Sequence, residues 1–153
     1  MMNISLLLEM AADAAGDRVG LVCNDQRWTY QQLLDAARGA AQLIRDAGCS
    51  HVALLDASSE ASVIALFGAA MAGVPYCPLN YRLADEDLGK QLERISPALL
   101  VGDDARAARL FVGAQDKRYS REAFVSLAAE TGKDLASTDS DDEGEPIALQ
   151  LFT

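Results

Sequence analysis

Residues able to do chemistry are few here, and each carries a plainer reading beside the reactive one. Gly68 and Gly73 have the glycine spacing of a phosphate loop, but Val74-Pro75 stands where Lys-Ser/Thr belongs. The pair also lies at the end of a helical pattern, so Gly73 reads as a helix stop. No G-x-G-x-x-G fingerprint of a dinucleotide site occurs. Asp56 ends one apolar run and Asp103-Asp104 ends another. A phosphoacceptor domain needs the acidic pair first, the single Asp second and a Lys last. That order is reversed here and the Lys is missing, so Asp103 or Asp104 reads as a helix cap.

His51 is the only histidine and has no Ser or Cys in a triad context. Cys77 sits between Tyr76 and Pro78 in an apolar run and reads as a buried thiol. Cys23, Cys49 and Cys77 are far apart and odd in number, with no C-x-x-C. Neither a disulfide framework nor a zinc cluster is supported, and the chain reads as reduced and cytoplasmic. Asp85-Glu86-Asp87 is a charged first helical turn, favoured by the helix dipole. No catalytic residue and no metal ligand is assigned from these residues.

The 153 residues carry 23 acids and 13 Lys or Arg, a formal charge of −10. Such a chain is repelled by nucleic-acid backbones and by anionic membrane surfaces. No run approaches the roughly 20 apolar residues of a membrane helix, and nothing basic precedes Leu6-Leu7-Leu8 as in a signal peptide. Six acids and no base fall in the last part, at Asp134, Asp139, Asp141, Asp142, Glu143 and Glu145. Without them, 17 acids face 13 bases, a net of −4. Residues 134–145 therefore read as a solvated acidic linker or loop rather than a metal cluster.

The elements that must position these residues alternate. Asn3 can cap a helix over 4–15 with Leu6, Met10 and Ala14 inward, and Gly16 ends it. Residues 19–23 and 27–29 read as a hairpin turning at Asn24-Asp25-Gln26. Thr29 and Gln32 form a capping box for a helix through Leu33, Ala37, Ala40 and Ile44, stopped by Gly48. Strands are expected at 51–55, 74–79, 98–101, 117–119 and 146–152. Between them come helices capped by Ser58 or Ser59, by Asp85 and by Ser120, and a short one over 104–110. Trp28 and Tyr30 read as packing. The fold class is α/β: a mainly parallel sheet with helices on both faces and a small N-terminal hairpin, whose ligands would sit at the strands' carboxyl ends.

Three stretches carry a resemblance. Thr29-Tyr30-Gln31-Gln32-Leu33 resembles the T-Y-x-E-L segment of adenylate-forming enzymes, with Gln32 for Glu. Ala70 to Leu83, with Ala72-Gly73 and Pro78-Leu79-Asn80-Tyr81-Arg82-Leu83, resembles their A-x-x-x-A-G-x-x-x-x-P-L-N-P-R-L segment, with Tyr81 for Pro. Pro146-Ile147-Ala148-Leu149-Gln150-Leu151-Phe152-Thr153 resembles the strand entering their phosphate loop. Together they cover the chain in the family's order. The chain is identified as resembling the N-terminal part of an acyl-CoA synthetase, a fatty-acid or other carboxylic-acid–CoA ligase of the AMP-binding superfamily. Gly48-Cys49-Ser50-His51-Val52-Ala53 departs from the family's usual G-x-x-x-G-D-x-V-A, which bears on subfamily.

The resemblance implies an acyl-adenylate formed from ATP and a carboxylic-acid substrate, followed by transfer to coenzyme A, with Mg²⁺ at the phosphates. It divides the chain into an α/β subdomain at 1–133, the acidic loop at 134–145, and a strand at 146–153. Thr153 would be the first residue of the phosphate loop, and the other functional residues would lie beyond it. The 153 residues alone are then expected to be inactive and to hold no cofactor. An uncovered sheet edge would favour a homodimer. The other readings are an adenylation domain of a peptide synthetase and a stand-alone, non-catalytic α/β interaction module.

Overall fold

The computed structural model describes residues 3–57, 59–102, 104–110 and 116–135. Helix α1 (Ser5–Ala15) is followed by a hairpin of β1 (Val19–Cys23) and β2 (Gln26–Thr29). Asn24 and Asp25 take φ of 47° and 67° at its two-residue turn, the left-handed pair that matches strand twist. Then come α2 (Tyr30–Ala47), β3 (His51–Leu55), α3 (Glu60–Ala72), β4 (Tyr76–Pro78) and α4 (Asp85–Ile95). The order ends with β5 (Ala98–Gly102), α5 (Asp104–Leu110), β6 (Lys117–Ser120) and α6 (Arg121–Leu135).

The main sheet runs β4-β3-β5-β6 with every pair parallel. Alternation along the strands divides the core in two. Val52, Leu54, Leu99 and Val101 face the side covered by α1, α2, α3 and α6. Ala53, Leu55 and Leu100 face the side covered by α4 and α5. The sheet is thus sandwiched, as the alternating elements predicted.

Local signals act where they were expected. The Thr29–Gln32 box is closed in both directions, at 2.9 and 3.1 Å. Gly48 and Gly73 end α2 and α3 at φ of 65° and 78°. Ser59 caps α3, accepting from the Ala61 amide. Phe124 of α6 is wholly buried, a contribution of about 1.5–3 kcal/mol for a side chain of that size.

Three expectations give way to tertiary packing. Helix α1 turns Ser5, Leu8 and Ala12 inward, leaving Leu6, Met10 and Ala14 exposed. Three consecutive leucines offer two possible stripes, and contact with α2 and α3 selects the other one. Asp85 is not a cap: Ala84 holds that position and the carboxylate is drawn to α5. Helix α6 runs to Leu135, so Asp134, expected to open the acidic loop at 134–145, is helical. Residues 136–153, including the expected strand at 146–152, lie outside the described residues, as do Ser58 and Asp103.

Candidate functional site at the strand ends

Because all four strands are parallel, their carboxyl ends share one edge of the sheet. The chain leaves β3 for one face and β5 for the other, so the crevice of a doubly wound sheet opens between these two strands. Their register aligns Leu55, Gly102 and Ser120 in one row across β3, β5 and β6. Asp56 and Arg121 each follow one residue beyond that row.

Gly102 has φ of 145°, and a Cβ there would stand 2.1 Å from the Leu55 carbonyl oxygen. The glycine therefore lets β5 pass beneath β3's last carbonyl; it opens no space for a ligand. Above it, Arg121 Nε lies 2.7 Å from Asp56 Oδ2, and an Arg121 Nη donates to Oδ1 at 3.3 Å. The Asp56 side chain is 10% exposed and that of Arg121 is 36%. The Nε–Oδ2 approach is close but poorly aligned, leaving those two buried atoms without a directed hydrogen bond. Asp56 Oδ1 also accepts from the Ala57 amide at 2.8 Å.

Beside this pair is a pocket of about 190 Å³ lined by Leu55, Asp56, Ala57, Tyr81 and Arg106. Tyr81 belongs to the Asn80–Leu83 turn of the P-L-N-Y-R-L segment, closed by the Leu83 amide donating to the Asn80 carbonyl. Arg106 of α5 clasps that turn, donating to the Tyr81 and Leu83 carbonyls and to Asp85 Oδ1. Arg109 adds a contact to Asp85 Oδ2 at 3.2 Å. The Arg106 hydrogen bond above all holds the Asp85 carboxyl below its ordinary range; burial opposes it, and Arg109 adds to the lowering.

The other candidates do not converge here. His51 starts β3, opposite Ala98, at the far edge of the sheet, with Ser50 Oγ 3.1 Å from its Nδ1. Cys77 is buried in β4, and burial pushes its thiol up to about 11; it is no nucleophile at neutral pH. Burial likewise raises Cys49 and the Tyr76 phenol. Thr153 lies outside the described residues. Among the described residues no three His, Cys, Asp or Glu are placed to hold a metal ion. Among the described residues, neither Gly73 nor Gly102 forms a phosphate cradle, because Gly73 is a helix terminator and a Cβ at Gly102 would meet the Leu55 carbonyl. Arg106 and Arg121 are the site residues that sequence reasoning passed over. Their partners are 21 and 65 residues away, and no local pattern marks such pairs.

This geometry is a scaffold of a known kind. The family model of the AMP-binding enzymes matches residues 8–150. The chain belongs to the AMP-binding enzyme family. A Mycobacterium tuberculosis protein named medium/long-chain-fatty-acid–CoA/3-oxocholest-4-en-26-oate–CoA ligase is 31% identical over 127 residues. The match takes in 81% of this chain and 23% of that protein, so the chain spans about a quarter of its relative. Bacitracin synthase 3 of Bacillus licheniformis is 30% identical over 113 residues, 72% of this chain and 2% of that protein. Among solved structures, VinN with 3-methylaspartate superposes with a TM-score of 0.84 at 20% identity, over 97% of this chain and 43% of VinN. A fatty acyl CoA synthetase of Mycobacterium tuberculosis gives 0.76 at 22% identity, over 99% and 32% of the two chains. These two show the shared fold. Across the described residues, no helix is long and apolar enough to cross a membrane.

Proposed function

We propose that these 153 residues are the N-terminal part of the large domain of an ATP-dependent acid–CoA ligase, with a fatty acid as the favoured substrate. The parent enzyme would join a carboxylate to AMP with loss of pyrophosphate, then pass the acyl group to coenzyme A in the cytoplasm. Mg²⁺ would supply charge neutralisation at the phosphates when bound. The domain division at 133 and 145 and the role of Thr153 as the first residue of a phosphate loop belong to this reading. The observation that carries it is the family match over residues 8–150, joined to the identity with fatty-acid–CoA ligases.

In this reading the described residues support catalysis without performing it. Asp56 and Arg121 fix the strand ends, and Arg106 fixes the P-L-N-Y-R-L turn beside them. ATP–pyrophosphate exchange with the purified 153-residue chain tests this: no exchange is expected above background, and a clear signal overturns the scaffold role. The coding sequence after the Thr153 codon tests the parent. Ser-Gly-Thr/Ser-Thr-Gly-x-Pro-Lys is expected there, and a stop codon would shift the reading to a stand-alone interaction module. The similarity to bacitracin synthase 3 favours a second reading, the adenylation domain of a peptide synthetase. Exchange assays on the parent, with amino acids against fatty acids, separate the two.

A further inference from the structure

A groove that has no role above lies away from the strand ends. It encloses about 340 Å³ between the hairpin, α2 and α6, and Trp28, Ala36 and Ala129 give it an apolar floor. Arg27 stands on its rim from one side and Lys133 from the other. Both are exposed, and neither joins the ion pairs among the described residues. The one acid in the lining is Asp35, whose Oδ1 accepts from Gln31 Nε2 at 3.0 Å. Gln32, also in the lining, is engaged in the α2 capping box. The groove thus carries an excess of positive charge on a chain whose net charge is −10.

Helix α6 ends two residues after Lys133. From there the sequence continues through residues 139–145, where Asp139, Asp141, Asp142, Glu143 and Glu145 occur with no base. We propose that this groove is the docking surface for that acidic segment of the same chain, its carboxylates meeting Lys133 and Arg27 over the face of Trp28. Asp139 is four residues from Leu135, a reach of up to about 14 Å, enough to fold back onto Lys133. The covalent tether gives the segment an effective concentration in the millimolar range, so weak charge pairs suffice to hold it. Charge pairing at this surface is screened by salt, with a Debye length near 30 Å at 0.01 M and near 3 Å at 1 M. The inference is independent of the ligase reading.

Trp28 is the only tryptophan of the chain, so its fluorescence reports on this groove alone. The experiment is acrylamide quenching of the full 153-residue chain between low salt and 1 M NaCl. Beside it runs the full chain carrying Asp139→Asn, Asp141→Asn, Asp142→Asn, Glu143→Gln and Glu145→Gln. The expected result is a native chain protected at low salt whose quenching climbs, with a red shift in emission, to the level of the neutralised chain. The neutralised chain is expected to be insensitive to salt. Lys133→Glu should abolish the low-salt protection in the same way. Equal quenching of native and neutralised chains at low salt overturns the proposal, and so does a native chain that ignores salt. Protection that fades on dilution means the segment comes from a second copy, which also overturns it.

Discussion

Asp56 and Arg121 are 65 residues apart in sequence, yet their carboxylate and guanidinium meet at 2.7 Å above the end of β5. They follow directly on β3 and β6, strands that are not neighbours. Leu55 and Ser120 flank Gly102 in a single register row, so the pair bridges two strand spacings, about 9.6 Å of sheet. The bridge ties the loop after β3 to the first residue of α6, at the edge where a parallel sheet receives ligands.

Removing Arg121 should leave a carboxylate that is only 10% exposed without its cation. Arg121→Ala is expected to destabilise the chain by about 1–3 kcal/mol, below the cost of breaking a fully buried pair because Arg121 is partly solvated. The double variant Asp56→Ala/Arg121→Ala should recover part of that loss. Urea unfolding of the four chains gives the coupling, and strictly additive losses would show that the contact contributes nothing.

Gly102→Ala should be more damaging than Gly48→Ala. At Gly48 a Cβ meets nothing within 4 Å and only the left-handed φ of 65° resists it, a cost of about 1–2 kcal/mol. At Gly102 an unfavourable φ of 145° is joined by a collision at 2.1 Å with backbone, which cannot swing aside as a side chain would. Thermal midpoints of the two variants check the ranking, and equal midpoints would mean that β3 and β5 part easily.

What the sequence discloses about this fold is what neighbours in sequence decide. The Asn24-Asp25 turn, the Thr29–Gln32 box and the glycines closing α2 and α3 each act within a few residues, and each was legible. The inward stripe of α1 was not, because Leu6, Leu7 and Leu8 fit either face and only α2 and α3 choose. Asp85 shows the same limit. A charged first turn suits a helix start whatever its partners, so nothing local announced Arg106 and Arg109. The strand-end edge could be foreseen from the βα alternation. The two arginines that furnish it come from contacts across the sheet. The resemblance added the family, because it draws on several separated stretches at once.

The three thiols should react in a fixed order. Cys23 is half-exposed, whereas Cys49 and Cys77 are buried and their thiols are raised by desolvation, that of Cys77 to about 11. Cys23 is itself raised, first by its hydrogen bond to Glu60, so even it should react more slowly than a free thiol. Ellman's reagent at pH 8 is expected to label one thiol on the folded chain and three after unfolding. Glu60→Gln should speed the first. Rapid labelling of two thiols in the native state would contradict the burial of the second.

Acid should loosen the clasp on the P-L-N-Y-R-L turn before it disturbs the sheet. The folded chain holds Asp85 below its ordinary value of 3.8 through Arg106 first and Arg109 second. A carboxyl whose folded pKa is depressed contributes stability that is present above the unfolded value and is lost as pH falls through the folded one. The window is therefore at and below about pH 4, with no change expected between pH 6 and 8. Carboxyl NMR titration of Asp85 should move upward in Arg106→Ala and move less in Arg109→Ala, because Arg106 makes the 2.7 Å contact and Arg109 the 3.2 Å one. The reverse ranking would assign the clasp to Arg109 and leave the Tyr81 and Leu83 carbonyls as the main reason for Arg106.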